Sequence, residues 1–135
     1  MKYPEIKYKD YTDKQGNRIR EQYSDGKMTE RTRYNSLGQM VEILSPGDIR
    51  SCYIYDENGD EIECNQYFID EDGVETHAYR GFRKYDEQGR LIDYEYENIY
   101  DGHFHYTYKY EVIEGKTVMK EYNEDGELTN MEVLQ

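Results

Sequence analysis

Residues 94–112 read Tyr94-Glu95-Tyr96-Glu97-Asn98-Ile99-Tyr100-Asp101-Gly102-His103-Phe104-His105-Tyr106-Thr107-Tyr108-Lys109-Tyr110-Glu111-Val112. Phe104, Tyr106, Tyr108, Tyr110 and Val112 alternate with His103, His105, Thr107, Lys109 and Glu111. That period of two puts rings on one face of a strand and polar groups on the other. Tyr94, Tyr96, Asn98 and Tyr100 alternate in the same way with Asp93, Glu95 and Glu97. The Asp-Gly between the two runs supplies the backbone freedom a tight reversal needs.

The same grammar runs through the whole chain. Ten of eleven glycines sit in short polar clusters, from Gly16 to Gly126, and only Gly81 stands outside one. Turns recurring every 9 to 16 residues indicate an all-β chain. No window shows a helical period, and proline occurs only at positions 4 and 46. The expectation is one domain over 1–135, an antiparallel meander of about ten or eleven short strands. So many strands must coil, close or fold over. A strongly curved open sheet is expected, with tyrosines on its concave side and acids outside; a closed β-barrel is the alternative.

Composition sets a condition on that fold. Leu, Ile, Val and Phe make up 23 of 135 residues, a share that with high net charge points towards disorder. Seventeen tyrosines oppose it, since each buries a ring while its hydroxyl stays wet. Thirty acidic against seventeen basic residues give a net charge of -13, which argues against direct nucleic-acid binding. No apolar run is long enough to cross a membrane as a helix. The first residues lack the apolar segment of a secretion signal, so a cytoplasmic protein is expected.

Several turns share a pattern: an aromatic residue opens, glycine closes, and an apolar residue follows. Copies are Tyr34-Asn35-Ser36-Leu37-Gly38-Gln39-Met40, Tyr55 to Ile62, Tyr85-Asp86-Glu87-Gln88-Gly89-Arg90-Leu91 and Tyr122 to Leu128. The run 85–91 resembles the tyrosine–aspartate repeat of Rhs-type proteins, loosely over residues 11 to 128. Asn replaces Asp at 35 and 123, and the spacing drifts. Such repeats build long sheets that enclose a toxic cargo. Ten hairpins are too few for a shell, so the resemblance implies the sheet architecture and a toxin-system context, with immunity proteins as stand-alone counterparts.

Charge is unevenly spread. Residues 1–34 hold nine basic and six acidic residues, and 35–135 hold eight basic and twenty-four acidic. From Asp56 to Glu75 there are nine carboxylates and no base: Asp56, Glu57, Asp60, Glu61, Glu63, Asp70, Glu71, Asp72 and Glu75. A second acidic stretch contains Asp93, Glu95, Glu97 and Asp101. Fields of this kind speed capture of a basic partner. Tyr67 and Phe68 in the first stretch, with Tyr94, Tyr96 and Tyr100 in the second, are candidate anchors. The expected function is non-enzymatic: an immunity-type inhibitor whose acidic surface blocks a basic, nuclease-like toxin domain. A nucleic-acid mimic and a sugar-binding or structural repeat module are the alternatives. The chain is expected to be a monomer or an edge-strand dimer.

Other chemistry is thin. Cys52 and Cys64 flank the turn at 56–59, and a five-residue loop would set them opposite one another. Without a secretion signal, two reduced thiols are expected. His103 and His105 share one side of a strand, but no third metal ligand is specified. Asp56, Asn58 and Asp60 mimic the opening of an EF-hand loop, yet Glu61 stands where glycine is required. No catalytic residue, cofactor or metal is assigned.

Overall fold

The computed structural model describes residues 3–134. It contains eleven strands: β1 (Ile6–Thr12), β2 (Arg18–Ser24), β3 (Lys27–Tyr34), β4 (Met40–Ser45), β5 (Ile49–Tyr55), β6 (Glu61–Ile69), β7 (Glu75–Tyr85), β8 (Leu91–Asn98), β9 (Gly102–Ile113), β10 (Lys116–Tyr122) and β11 (Leu128–Leu134). They form one sheet in sequence order, β1 to β11. The sheet is an antiparallel meander, open and not closed into a barrel. Tyr100, placed by alternation on a strand, lies instead in the turn after β8, because the Asn98 side chain accepts the backbone N–H groups of Tyr100 and Asp101.

Six turns have one design: 13–17, 35–39, 56–60, 70–74, 86–90 and 123–127. In each, the N–H of the opening Asp or Asn bonds the carbonyl four residues on, and the glycine N–H returns to the opening carbonyl. The opening side chain then accepts two further N–H groups, as Asp56 Oδ1 does from Asn58 and Asp60 at 2.9 and 3.0 Å. Asn35 and Asn123 do the same with their amide oxygens. Asn is therefore a working copy of Asp here, since the turn needs an acceptor and not a charge. Gly59, at φ 87°, occupies the left-handed position that side chains resist. Asp25-Gly26 and Glu114-Gly115 make two-residue reversals with positive φ at both positions, the form that fits strand twist.

The turn design makes a prediction. Asp56→Asn is expected to leave stability within about 0.5 kcal/mol, whereas Asp56→Ala strands two N–H groups and costs about 1 kcal/mol. Urea melts of the two variants check it. Backbone N–H donors also hold the Asp13 and Asp86 carboxyls below the usual carboxylate range. Their contribution is present above the unfolded value near 4 and is lost as pH falls through the lower folded value.

Two compact units divide the chain: Met1–Ile54 with Cys64–Ala78, and Tyr55–Glu63 with Tyr79–Gln135. Among the described residues neither has an aliphatic core of ordinary size. In the first, Ile19, Cys64 and Ala78 are buried together with the polar Glu21, Thr32 and Ser51; in the second, Val118 is the buried aliphatic. Cross-strand side-chain contacts take over the work of a core.

In the second unit this is a ring stack. Tyr96 lies opposite Phe104 and Gly81, and Tyr94 opposite Tyr106. Ring centroids from Tyr96 to Tyr94, Phe104 and Tyr79 are 4.9, 5.1 and 5.9 Å apart. Tyr79 folds across Gly81 to bond the Tyr94 hydroxyl. That accounts for the one glycine outside a turn: a Cβ there would stand 2.9 Å from Tyr79 Cζ.

In the first unit the equivalent is a charge ladder. Glu21 accepts hydroxyls from Tyr11 and Tyr23 at 2.8 and 2.7 Å. Arg31, Arg33 and Arg50 all approach Glu42, at 3.8, 3.7 and 3.4 Å. Arg50 also grips Glu75 with a two-bond fork of 2.7 and 2.8 Å.

Candidate functional site

The acidic run 56–75 does not make one surface. Its residues are divided between the two units: the turn 56–60 with Glu61 and Glu63 belongs to the second, the turn 70–74 with Glu75 to the first. Asp56 and Asp70 are spent as turn acceptors, and Asp60 closes its turn through its backbone. Three glutamates are ion-paired: Glu61 with Arg83, Glu63 with Arg80 at 3.6 Å, and Glu75 with Arg50. Tyr67 lies beneath the Arg50 guanidinium and stacks on His77. What projects into solvent at the turn tips is Glu57, Glu71 and Asp72.

The second acidic stretch divides by face. Tyr94 and Tyr96 point to the ring stack, while Asp93, Glu95 and Glu97 point the other way, opposite Thr107, His105 and His103. Anchors and carboxylates on β8 therefore cannot meet the same partner surface. Nor is the carboxylate face purely acidic. Lys84 stands opposite Asp93 and Arg80 opposite Glu97, and His105 Nε2 sits 2.9 Å from Asp93. The expected division into a tyrosine side and an acidic side is thus corrected here: the second side is a mixed ladder of both signs.

A better-assembled group lies at the end of this unit where β8 turns into β9. Ile99 and Tyr100 stand out from that turn, 52 and 76 % exposed, with the exposed carboxylates of Glu97 and Asp101 beside them. His103 ties the next turn to it, with Nε2 3.3 Å from Glu95 and Nδ1 3.2 Å from Glu124. A surface depression runs from His103–Tyr106 to Asn123, Glu124 and Asp125. The unit as a whole holds eighteen acidic and seven basic residues, the other unit twelve and ten. Most of the net charge therefore lies in this unit, shared between this end and the turns 56–60 and 86–90, the latter at the other end of β8. Ile99, Glu124 and Asp125 were not singled out by the sequence reading; an Ile-Tyr pair inside a turn was the signal available.

His103 faces carboxylates from both ring nitrogens, and a neutral imidazole can donate from only one. The hydrogen bond to Glu95, with the charges of Glu124 and Glu95, raises its pKa above the ordinary 6.5. Glu97 across the strand pair adds a third acid facing it. A raised folded pKa stabilises below the unfolded value and is lost as pH rises through the folded one. In an NMR titration His103 should titrate above 6.5, and Glu124→Gln should move it down.

Cys52 lies opposite Glu42 on β4, and its Sγ is 2.9 Å from an Arg50 nitrogen. Neither Cys52 nor Cys64 is in a disulfide, and burial pushes the Cys52 thiol up, away from the reactive thiolate. Among the described residues no group of three or more His, Cys, Asp or Glu is placed to hold a metal ion. No protein-family model matches the sequence, and no curated protein matches it.

Proposed function

We propose that the chain is a non-enzymatic protein-binding module that takes a basic partner on the acidic end of its second unit. The observation carrying this is the pair Ile99 and Tyr100, exposed on a turn between Glu97 and Asp101, in the unit whose His103 also meets Glu124. A water-exposed aromatic and a branched aliphatic among carboxylates suit a partner with a basic, partly apolar patch. An immunity-type inhibitor of a basic, nuclease-like toxin domain is the reading in which such a surface acts. The toxin context comes from the resemblance of the repeated turns to tyrosine–aspartate repeats. Mimicry of nucleic acid towards another DNA-binding protein uses the same chemistry.

The ring stack favours one second reading. Tyr94, Tyr96, Phe104 and Tyr106 make a half-buried aromatic face on which sugar rings could lie. Salt separates the two. Affinity for a basic toxin domain should fall about tenfold or more between low and moderate salt, while sugar stacking should hardly respond. A panel of basic nuclease domains and oligosaccharides, titrated at both salt levels, decides between them. Sugar binding that is indifferent to salt, with no basic protein bound, would overturn the first reading.

A further inference from the structure

Arg31 and Arg33 stand two residues apart on β3, on the face shared with Glu21, Glu42 and Arg50. Their side chains are 31 and 34 % exposed, while that of Glu42 is only 14 % exposed. Both guanidiniums look to the same oxygen, Glu42 Oε1, from 3.8 and 3.7 Å, beyond hydrogen-bond reach. The other Glu42 oxygen faces Arg50. Glu21, directly across from Arg31, is already occupied by the hydroxyls of Tyr11 and Tyr23. The Nε–H groups of Arg31 and Arg33 are shut off from solvent with no acceptor.

A buried N–H without an acceptor is rare enough to require an explanation. On this face five cations, Lys7, Lys9, Arg31, Arg33 and Arg50, meet four carboxylates, Glu5, Glu21, Glu42 and Glu75. Lys7 is paired with Glu5 and Arg50 with Glu75, which leaves Arg31 and Arg33 to share Glu42. Guanidinium forks match the paired oxygens of phosphate and sulfate. Positions i and i+2 on a strand are about 6.7 Å apart, a span that one tetrahedral anion bridges with an arginine on each side. We propose that Arg31 and Arg33 form a binding site for a small, doubly charged oxyanion of the phosphate type. The site belongs to the first unit and stands independently of the acidic surface described above.

The test reads the arginine side chains directly. Inorganic phosphate is titrated into the ¹⁵N-labelled full chain at low ionic strength, with sodium chloride at matched ionic strength as the control. The Nε–H signals of Arg31 and Arg33 should shift saturably with phosphate. Those of Arg20, held by Asp10, and Arg18, lying over Tyr34, should not. Arg33→Lys keeps the charge but loses the fork, and should weaken phosphate at least tenfold. No saturable shift, an equal shift with chloride, or unchanged affinity in Arg33→Lys would each overturn the site. The wild-type titration alone can do so even if the variant fails to fold.

Discussion

Tyr96→Ala is expected to be the most damaging single replacement in the second unit, costing about 2–4 kcal/mol. Burying and then losing a whole aromatic side chain costs about 3–5 kcal/mol in a closed core, and Tyr96 is half-buried, so the lower part of that scale applies. Each ring pair adds about 0.5–1.5 kcal/mol beyond area, and Tyr96 touches Tyr79, Tyr94, Phe104 and Tyr106. Among the described residues of this unit Val118 is the one buried aliphatic, so little stands in for the stack. Set against a domain stability of about 5–15 kcal/mol, the loss is large. Gly81→Val should act through the same stack, forcing Tyr79 off its place against Tyr94 at a cost of about 1–3 kcal/mol. Tyr100→Ala, out on the turn, should stay within about 0.5 kcal/mol. Urea unfolding followed by tyrosine fluorescence and circular dichroism orders the three.

Glu42→Ala should do comparable harm in the first unit, about 1–3 kcal/mol. Glu42 is the one carboxylate to which Arg31, Arg33 and Arg50 all turn. Its removal leaves three guanidiniums side by side and poorly hydrated. Breaking a fully buried pair costs about 3–5 kcal/mol; the partial exposure of the arginines reduces that figure. Glu42→Gln keeps the shape and one acceptor but loses the charge. It should fall between wild type and alanine, and its deficit should shrink in high salt, where repulsion among the arginines is screened. Equal stability of all three proteins would mean that the ladder carries no energy.

The strands and turns were legible because both are written locally. A period of two needs only the next few residues, and the Asp-or-Asn to Gly turn closes within five. The apparent degeneracy at Asn35 and Asn123 disappears once the side-chain oxygen is seen as the working part. The site was legible only in part, because charge partners come from far along the chain. Glu75 finds Arg50 twenty-five positions back, and Glu61 finds Arg83 twenty-two ahead. A run of nine carboxylates without a base therefore looked like one acidic surface, although it is divided between two units and cations from neighbouring strands pair with Glu61, Glu63 and Glu75. The arginine row was hidden for the same reason. Arg31, Arg33 and Arg50 come together with Glu42 only through the register of β3, β4 and β5.

The central claim is that the acidic end around Ile99 and Tyr100 captures a basic protein. Its most direct test is a pull-down from a lysate of the source cell at low salt, with elution by a salt step. Three baits are compared: wild type, a Tyr100→Ala/Asp101→Lys variant, and a Glu57→Lys control. A basic protein held in stoichiometric amount by wild type and the control, released by salt and lost from the Tyr100/Asp101 variant, is the predicted result. A protein retained equally by all three baits and indifferent to salt would contradict the account.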